Sequence, residues 1–256
     1  SGAALRSGAA NGGFVMSGGE RMEKQAAAII LAAGQGKRMA AGYNKQFLTL
    51  GDRPVLAQTL AVFEACPAIT CCIVVAKAEE CAYCQREIVQ AYHLQKVIAV
   101  VAGGAERQDS VYQGLKALPK DTRYVAVHDG ARPLVTAELI MQVLAAATPD
   151  CGAIPGVPVK DTIKRASQEG LVVETPARES LWSVQTPQIF ACGQLLAAYE
   201  AAQAEGFYGT DDASLVEHLN GAVRIVPGSY DNIKLTTPED LPLAENILRR
   251  RLELEG

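Results

Sequence analysis

No apolar run in the chain approaches the roughly 18 residues that a membrane-spanning helix needs, and 24 lysines and arginines are outnumbered by 28 aspartates and glutamates. The first lack argues against a membrane protein. The second leaves a net charge of −4 and argues against a nucleic-acid partner. Basic residues gathered at a few loops of an acidic chain imply instead a local site for a small anion. Histidine is scarce: His93, His128 and His218 are the whole supply, and none stands in a nucleophile arrangement. No general base is assigned to them, and His128 is expected to be packed. Seven cysteines (Cys66, Cys71, Cys72, Cys81, Cys84, Cys151, Cys192) form an odd set without a framework. That fits a reducing compartment and a cytoplasmic protein. Cys81 and Cys84 have metal-ligand spacing but no second pair, so they read as helix residues.

Two familiar phosphate loops are also absent. A P-loop needs Gly, four residues, then Gly-Lys-Ser/Thr, whereas Gly34 and Gly36 are one residue apart and Lys37 precedes Arg38. A dinucleotide fingerprint wants a third small residue where Met39 stands, and an acidic residue closing a second strand.

At 256 residues and 49% hydrophobic, the chain can bury a full core. Residues 1–25, rich in Gly, Ala and Ser, read as a disordered tail or expression remnant with a native start at Met16 or Met22. From 26 onward, the apolar run Ala26 to Ala32 empties into Ala33-Gly34-Gln35-Gly36-Lys37-Arg38, with Lys45 shortly after. A short apolar run ending in glycines is a buried strand opening into a loop. Small residues there let backbone N–H groups approach an anion. The cations Lys37, Arg38 and Lys45 point to a polyphosphate; the alternative is a strand-to-helix turn with solvated cations.

Further along, apolar runs at Cys71–Ala76, Val97–Val101 and Tyr124–His128 alternate with helical stretches. One helix starts at Pro54, one spans about Glu79 to Tyr92, and one follows Gly103-Gly104 with Val111, Leu115 and Leu118 on its buried face. The alternation predicts an α/β fold with a parallel sheet and ligands at the carboxyl ends of its strands. Arg107 and Ser110 fall in a first helical turn, where free N–H groups favour an anion or a polar ligand edge. Asp129 leaves a buried strand beside Arg132, so it belongs either to a site or to an internal salt bridge. Thr136 is a plausible cap for a helix from about Glu138 to Ala147. Between Gly156 and Glu179, two short extended runs flank Ser167-Gln168-Glu169-Gly170, which predicts a hairpin too poor in apolar surface to stand alone. Leu181 to Thr186 reads as a strand, with Thr186-Pro187-Gln188 as its turn back toward the sheet. Helices are expected over about 193–204 and 211–219, the second capped by Thr210, and a last one capped by Thr237. Between them, Val223–Val226 is a strand, and Asn232 to Leu235 delivers Lys234 toward the site.

The ordered set Ala32-Ala33-Gly34-Gln35-Gly36-Lys37-Arg38-Met39 with Lys45-Gln46, Gly103-Gly104 with Arg107 and Ser110, His128-Asp129-Gly130-Ala131-Arg132-Pro133, Thr186-Pro187-Gln188 and Asp231-Asn232-Ile233-Lys234 resembles the 2-C-methyl-D-erythritol 4-phosphate cytidylyltransferase family over residues 26–250. The resemblance implies a Rossmann-like, mostly parallel twisted sheet with helices on both faces. It also implies a nucleotidyltransferase domain over 26–256, in which 157–179 is a protruding β-hairpin arm that embraces a second subunit. The implied reaction joins CTP and a sugar-alcohol phosphate, with Mg²⁺ or another divalent cation carried mainly by the nucleotide phosphates and Asp129 reaching it through water. By the same resemblance, Arg38 and Lys45 are catalytic. Ala32, Ala33, Gly34, Gly36, Lys37, Gly103, Gly104, Arg107, Ser110, Asp129 and Lys234 bind the nucleotide. Arg178, Thr162, Lys234, Arg132, Asp129 and Thr210 position the acceptor, the first two reaching across from the arm. Two other readings stay open at this level: a sister enzyme acting on ribitol 5-phosphate, and a non-catalytic nucleotide sensor that retains the glycine loops.

Overall fold

The computed structural model describes residues 24–34 and 45–255. The tail expected over 1–25 lies outside them as far as residue 23, as do Gly36, Lys37 and Arg38. The first strand, β1 (Ala26–Leu31), is buried at all six positions, as an uninterrupted apolar run in the middle of a parallel sheet should be. Its side chains alternate between two cores. Ala26, Ala28 and Ile30 join one, and Ile29 and Leu31 join the other.

A small antiparallel pair, β2 (Thr49–Leu50) and β3 (Arg53–Pro54), leads into α1 (Val55–Ala65), which buries Leu56, Leu60 and Phe63 as its spacing predicts. After β4 (Ile69–Ala76) comes an irregular helix. A 3-10 turn at Ala78–Glu80 and a single turn α2 (Cys81–Tyr83) widen into a π-helix over Cys84–Gln90. The helical stretch expected over about Glu79 to Tyr92 is thus present, in mixed turns. Buried Cys84, Ile88 and Val89 are spaced so that a widened turn brings all three onto the core, and Ala91 N–H reaches back five residues to Arg86.

The chain continues through β5 (Val97–Ala102), α3 (Arg107–Ala117), β6 (Tyr124–Asp129) and α4 (Ala137–Ala146). Thr136 caps α4 by accepting from Leu139 N–H at 3.2 Å. After β7 (Cys151–Pro158) the hairpin β8 (Arg165–Ala166) and β9 (Val172–Glu174) stands off the body as a separate two-stranded sheet. Then come β10 (Trp182–Val184), β11 (Gln188–Ala191), α5 (Cys192–Glu205), α6 (Asp212–His218), β12 (Ala222–Pro227) and α7 (Asp240–Glu255).

Strands β6, β1, β4 and β5 lie side by side and parallel. β11 runs antiparallel between β6 and β7, and β12 runs parallel along β7. This is the predicted α/β sheet, mostly parallel where the site loops emerge and mixed at the other edge. Helices α1 and α4 cover one face, α3, α5 and α6 the other. Two details correct the expectations. Both β10 and β11 run antiparallel to β7, so Thr186-Pro187 is a kink within one direction of travel and no reversal. The cap of α6 is Asp211, which accepts from Ser214 N–H at 2.9 Å, and Thr210 is exposed. The last helix is assigned from Asp240, whose carboxylate takes the N–H groups of Thr236 and Thr237 just ahead of it at 2.6 and 2.8 Å. At α6 a carboxylate prevails over a neighbouring threonine hydroxyl, because an ionised acceptor makes the stronger bond to a free N–H.

From β1 the chain proceeds to β4 and β5 on one side, then returns to place β6 on the other. The loops leaving β1 and β6 therefore diverge. Such a switch point opens a crevice at the carboxyl ends of the strands.

Candidate active site

A cavity of about 920 Å³ fills that crevice. Its walls are the segments that follow the parallel strands: Ala33 and Gly34 after β1, Lys77 to Glu79 after β4, Gly103 to Arg107 after β5, and Asp129 with Ala131 after β6. Lys234 and Thr236 close it from the loop before α7. Two glycines let the β5 wall take this path. A Cβ on Gly103 would stand 2.6 Å from Ser110 Oγ and 2.9 Å from Ala33 Cβ, and one on Gly104 would stand 2.3 Å from Asp109 Cβ. The β1 and β5 loops thus touch through Gly103. Ser110, buried in the first turn of α3, turns its hydroxyl to Gly104 N–H at 3.2 Å.

The floor of the cavity is a knot of charge. Asp129 Oδ2 lies 2.8 Å from Lys234 Nζ and 3.5 Å from Arg132 Nε, and Oδ1 lies 3.9 Å from Arg107 Nε. Burial alone would raise the Asp129 carboxyl, but Lys234, Arg107 and Arg132 outweigh it and hold the group well below the usual carboxylate range. Asp129 is therefore both things its sequence position allowed: a member of an internal ion cluster and a lining residue of the cavity. Arg132 keeps only 12% of its side-chain surface. Burial lowers its pKa against the pull of Asp129, and it donates to Asn232 C=O at 2.8 Å.

Hydrogen bonds fix the turn that carries Asp129. Thr186 Oγ1 accepts from Asp129 N–H at 3.1 Å and meets His128 Nδ1 at 2.9 Å, while His128 Nε2 lies 3.2 Å from Arg132 C=O. A carbonyl can only accept, so Nε2 carries the proton, Nδ1 is the acceptor, and the Thr186 hydroxyl donates to it. His128 is completely buried, and that burial pushes its pKa down to about 4. It is packed and neutral, as expected. The same turn holds the Lys234 loop: Leu235 N–H donates to Ala131 C=O at 2.8 Å, and Asn232 Nδ2 to Thr186 C=O at 2.9 Å. Asp129, Arg132 and Lys234 are thus set by one network.

Arg107 lines the wall but is also anchored from behind, donating to both oxygens of Asp212 at 3.1 and 2.7 Å. Burial would lower its pKa; the Asp212 carboxylate first, then Asp129, raises it.

Of the residues singled out from sequence, Ala33, Gly34, Gly103, Gly104, Arg107, Ser110, Asp129 and Lys234 line the cavity. Ala32 is buried at the end of β1, its N–H given to Val75 C=O. Arg132 stands beside Asp129 without lining the cavity. Lys45 opens the 3-10 turn Lys45–Phe47, and Gln46 next to it is on the wall. Thr162 and Arg178 sit exposed on the arm, Arg178 donating to Lys160 C=O at 3.1 Å; neither lines the cavity of its own chain. Thr210 is not on the wall either. Lys77, Glu79 and Thr236 were missed, although the end of a parallel strand is a signal that could have found Lys77 and Glu79. Asp212, inside the helix expected over about 211–219, was not singled out.

A divalent cation finds no ready ligand set among the described residues. Among the described residues no group of three or more His, Cys, Asp or Glu is placed to hold one. The one carboxylate on the floor is already enclosed by cations. Cys81 and Cys84 lie on the irregular helix. No helix among the described residues is long and apolar enough to cross a membrane.

Residues 26–250 match the family model described as 2-C-methyl-D-erythritol 4-phosphate cytidylyltransferase. A relative of that name from Geobacter metallireducens is 48% identical over 228 residues, which cover 88% of this chain and 98% of the relative. One from Halalkalibacterium halodurans is 51% identical, covering 87% and 96%. The crystal structure of 4-diphosphocytidyl-2C-methyl-D-erythritol synthase from Anaerococcus prevotii superposes with a TM-score of 0.77 at 32% identity, covering 89% of this chain and 97% of that one.

Proposed function

The chain belongs to the 2-C-methyl-D-erythritol 4-phosphate cytidylyltransferase family and joins CTP to 2-C-methyl-D-erythritol 4-phosphate, forming 4-diphosphocytidyl-2-C-methyl-D-erythritol and pyrophosphate; for the roles of its residues we propose the following division of labour. The acceptor's phosphate monoester is already largely ionised at pH 7, its second pKa being about 6. No side chain need deprotonate it, which agrees with a cavity whose nearest histidine is buried and neutral. What the reaction demands is that two anions be brought together in line and the charge growing on the α-phosphoryl group be offset.

Arg38 and Lys45 take that second task at the α-phosphate. Ala32, Ala33, Gly34, Gly36 and Lys37 carry the triphosphate, while Gly103, Gly104, Arg107 and Ser110 take the nucleoside side. Lys234, Asp129 and Arg132 lie between nucleotide and acceptor. The observation that carries this reading is the Asp129 cluster, in which cations from three separate segments converge on one carboxylate at the cavity floor. Lys234, the most exposed of the three at 39% of its side-chain surface, is the one best able to turn to a substrate phosphate. Arg178, Thr162 and Thr210 complete the acceptor side. The first two come from the arm of a second subunit in a homodimer, a reading supported by the exposed Leu171, Val172 and Val173 on the hairpin. Mg²⁺ or another divalent cation would be held by the phosphate oxygens of the nucleotide and would neutralise charge on the triphosphate. A cytoplasmic location agrees with seven free cysteines.

Pyrophosphate release should be measured with CTP and each acceptor in turn. Release is expected with the erythritol phosphate and not with ribitol 5-phosphate; the reverse would overturn the acceptor assignment. In the same assay Lys45→Ala should lower kcat far more than it raises the CTP KM, and equal effects would reduce Lys45 to a binding residue.

A further inference from the structure

The division of labour above leaves one buried acid without a task. Asp212 has no exposed surface, and the helix it opens is firmly mounted. Gln188 of β11 donates to Asp211 Oδ2 at 2.7 Å and accepts from Ala213 N–H at 3.0 Å, while Asp211 caps the first turn. Held there, the Asp212 carboxylate accepts from both terminal nitrogens of Arg107, and from the buried Tyr199 hydroxyl at 2.5 Å. Arg107 in turn aims its Nε at Asp129 across 3.9 Å. A buried ion pair adds little net stability over apolar residues of the same volume. Its clear physical consequence is orientation, since a two-pronged pairing fixes the plane of the guanidinium as well as its place. Without that anchor, the cation would be drawn onto Asp129, where it would compete with Lys234.

We propose that Asp212, backed by Tyr199, is a positioning residue that acts through Arg107: it holds the guanidinium on the cavity wall in the orientation that meets the nucleotide and keeps it off the Asp129–Lys234 pair. This role rests on the reading of Arg107 as a nucleotide contact. It assigns function to a joint between α3 and α6 that no motif marks.

The test is a double-mutant cycle on the full-length protein, with CTP and the erythritol phosphate as substrates and pyrophosphate release as the signal. Asp212→Asn keeps the size of the side chain and removes its charge; it should raise the CTP KM about tenfold while kcat moves less than about threefold. Arg107→Met should raise the KM at least as much. In the Arg107→Met background, Asp212→Asn should change KM by no more than about twofold, because a residue acting through Arg107 has nothing left to act on. If Arg107→Met leaves KM unchanged, the nucleotide reading of Arg107 fails and the positioning role falls with it. If Arg107→Met raises KM but Asp212→Asn does not, or the two effects simply multiply, the positioning role alone is overturned. A lower melting temperature with normal KM would make Asp212 merely structural and overturn it as well. Should Asp212→Asn fail to fold, Tyr199→Phe removes one hydrogen bond from the same carboxylate. It should raise KM about twofold to threefold, an effect lost in the Arg107→Met background; an unchanged KM would overturn the proposal.

Discussion

The cavity floor and the arm are built on opposite terms. At the floor, charges are inside: Asp129 keeps 11% of its side-chain surface and faces three cations. On the arm, apolar side chains are outside, with Leu171, Val172 and Val173 exposed by 69%, 61% and 61%. The arm also has an ion pair, Arg165 to Glu174 at 2.5 Å, nominally closer than Lys234 to Asp129 at 2.8 Å. Distance is nevertheless the wrong measure of strength. With 67% and 48% of its two side chains in water, the arm pair is screened, and such pairs contribute about 0–1 kcal/mol. The floor pair sits where desolvation is costly and each charge depends on its partners. Each region is also unfinished in a way its chemistry makes plain. The floor has an excess of positive charge turned toward a cavity, and the arm has apolar surface turned toward solvent.

The contrast can be tested from its strongest consequence downward. Asp129→Ala leaves Lys234, Arg132 and Arg107 facing one another without their shared counter-charge, and should cost about 3–5 kcal/mol in a urea titration together with nearly all turnover. A loss under about 1 kcal/mol would place the floor on the same footing as the arm. Next in size is a pH effect confined to the floor. His128 is neutral and buried with its pKa down at about 4, so its contribution is fully present above about 6.5, where the unfolded side chain is also neutral. It is lost as pH falls from there toward 4, because only the unfolded chain readily takes the proton. Between pH 7 and pH 5 the unfolding free energy should drop by roughly 2 kcal/mol on this account, and a protein lacking His128 should show a flatter profile over that range. Asp129, held low, adds its own loss only at more acidic pH, below the ordinary carboxylate range.

Smaller again is the effect of Val172→Asp on the arm. It should move the unfolding midpoint of the body by less than about 1 kcal/mol while shifting the species seen by sedimentation from dimer to monomer. An unchanged mass would remove the subunit-embracing role from the hairpin. Smallest of all, Arg165→Ala should change stability by no more than about 0.5 kcal/mol, read in the same titration.

Much of this was legible in the chain. The uninterrupted apolar run before Ala33, the glycine pair at 103 and 104, and the aspartate at the end of Tyr124–Asp129 each place a residue at the carboxyl end of a strand, because strand periodicity and turn chemistry are local. What stayed hidden was made by contacts between distant segments. Arg107 and Asp212 are 105 positions apart and His128 and Thr186 are 58 apart, and no local pattern links them. The π-helix at Cys84–Gln90 and the move of the α6 cap from Thr210 to Asp211 belong to the same class. In each, packing or a competing acceptor overrode a sound local preference.

The sequence by itself determined the α/β alternation, the family, and the loops after β1, β5 and β6 that wall the site, since hydrophobic period and glycine placement act within a few residues. The tertiary structure alone decided how the charges are shared. Only when β6 and β1 stand side by side, and α6 is seated against α3, does Asp129 acquire three cations and Arg107 an anchor. Electrostatic partnership depends on distance and burial in space, and the chain does not record either until it is folded.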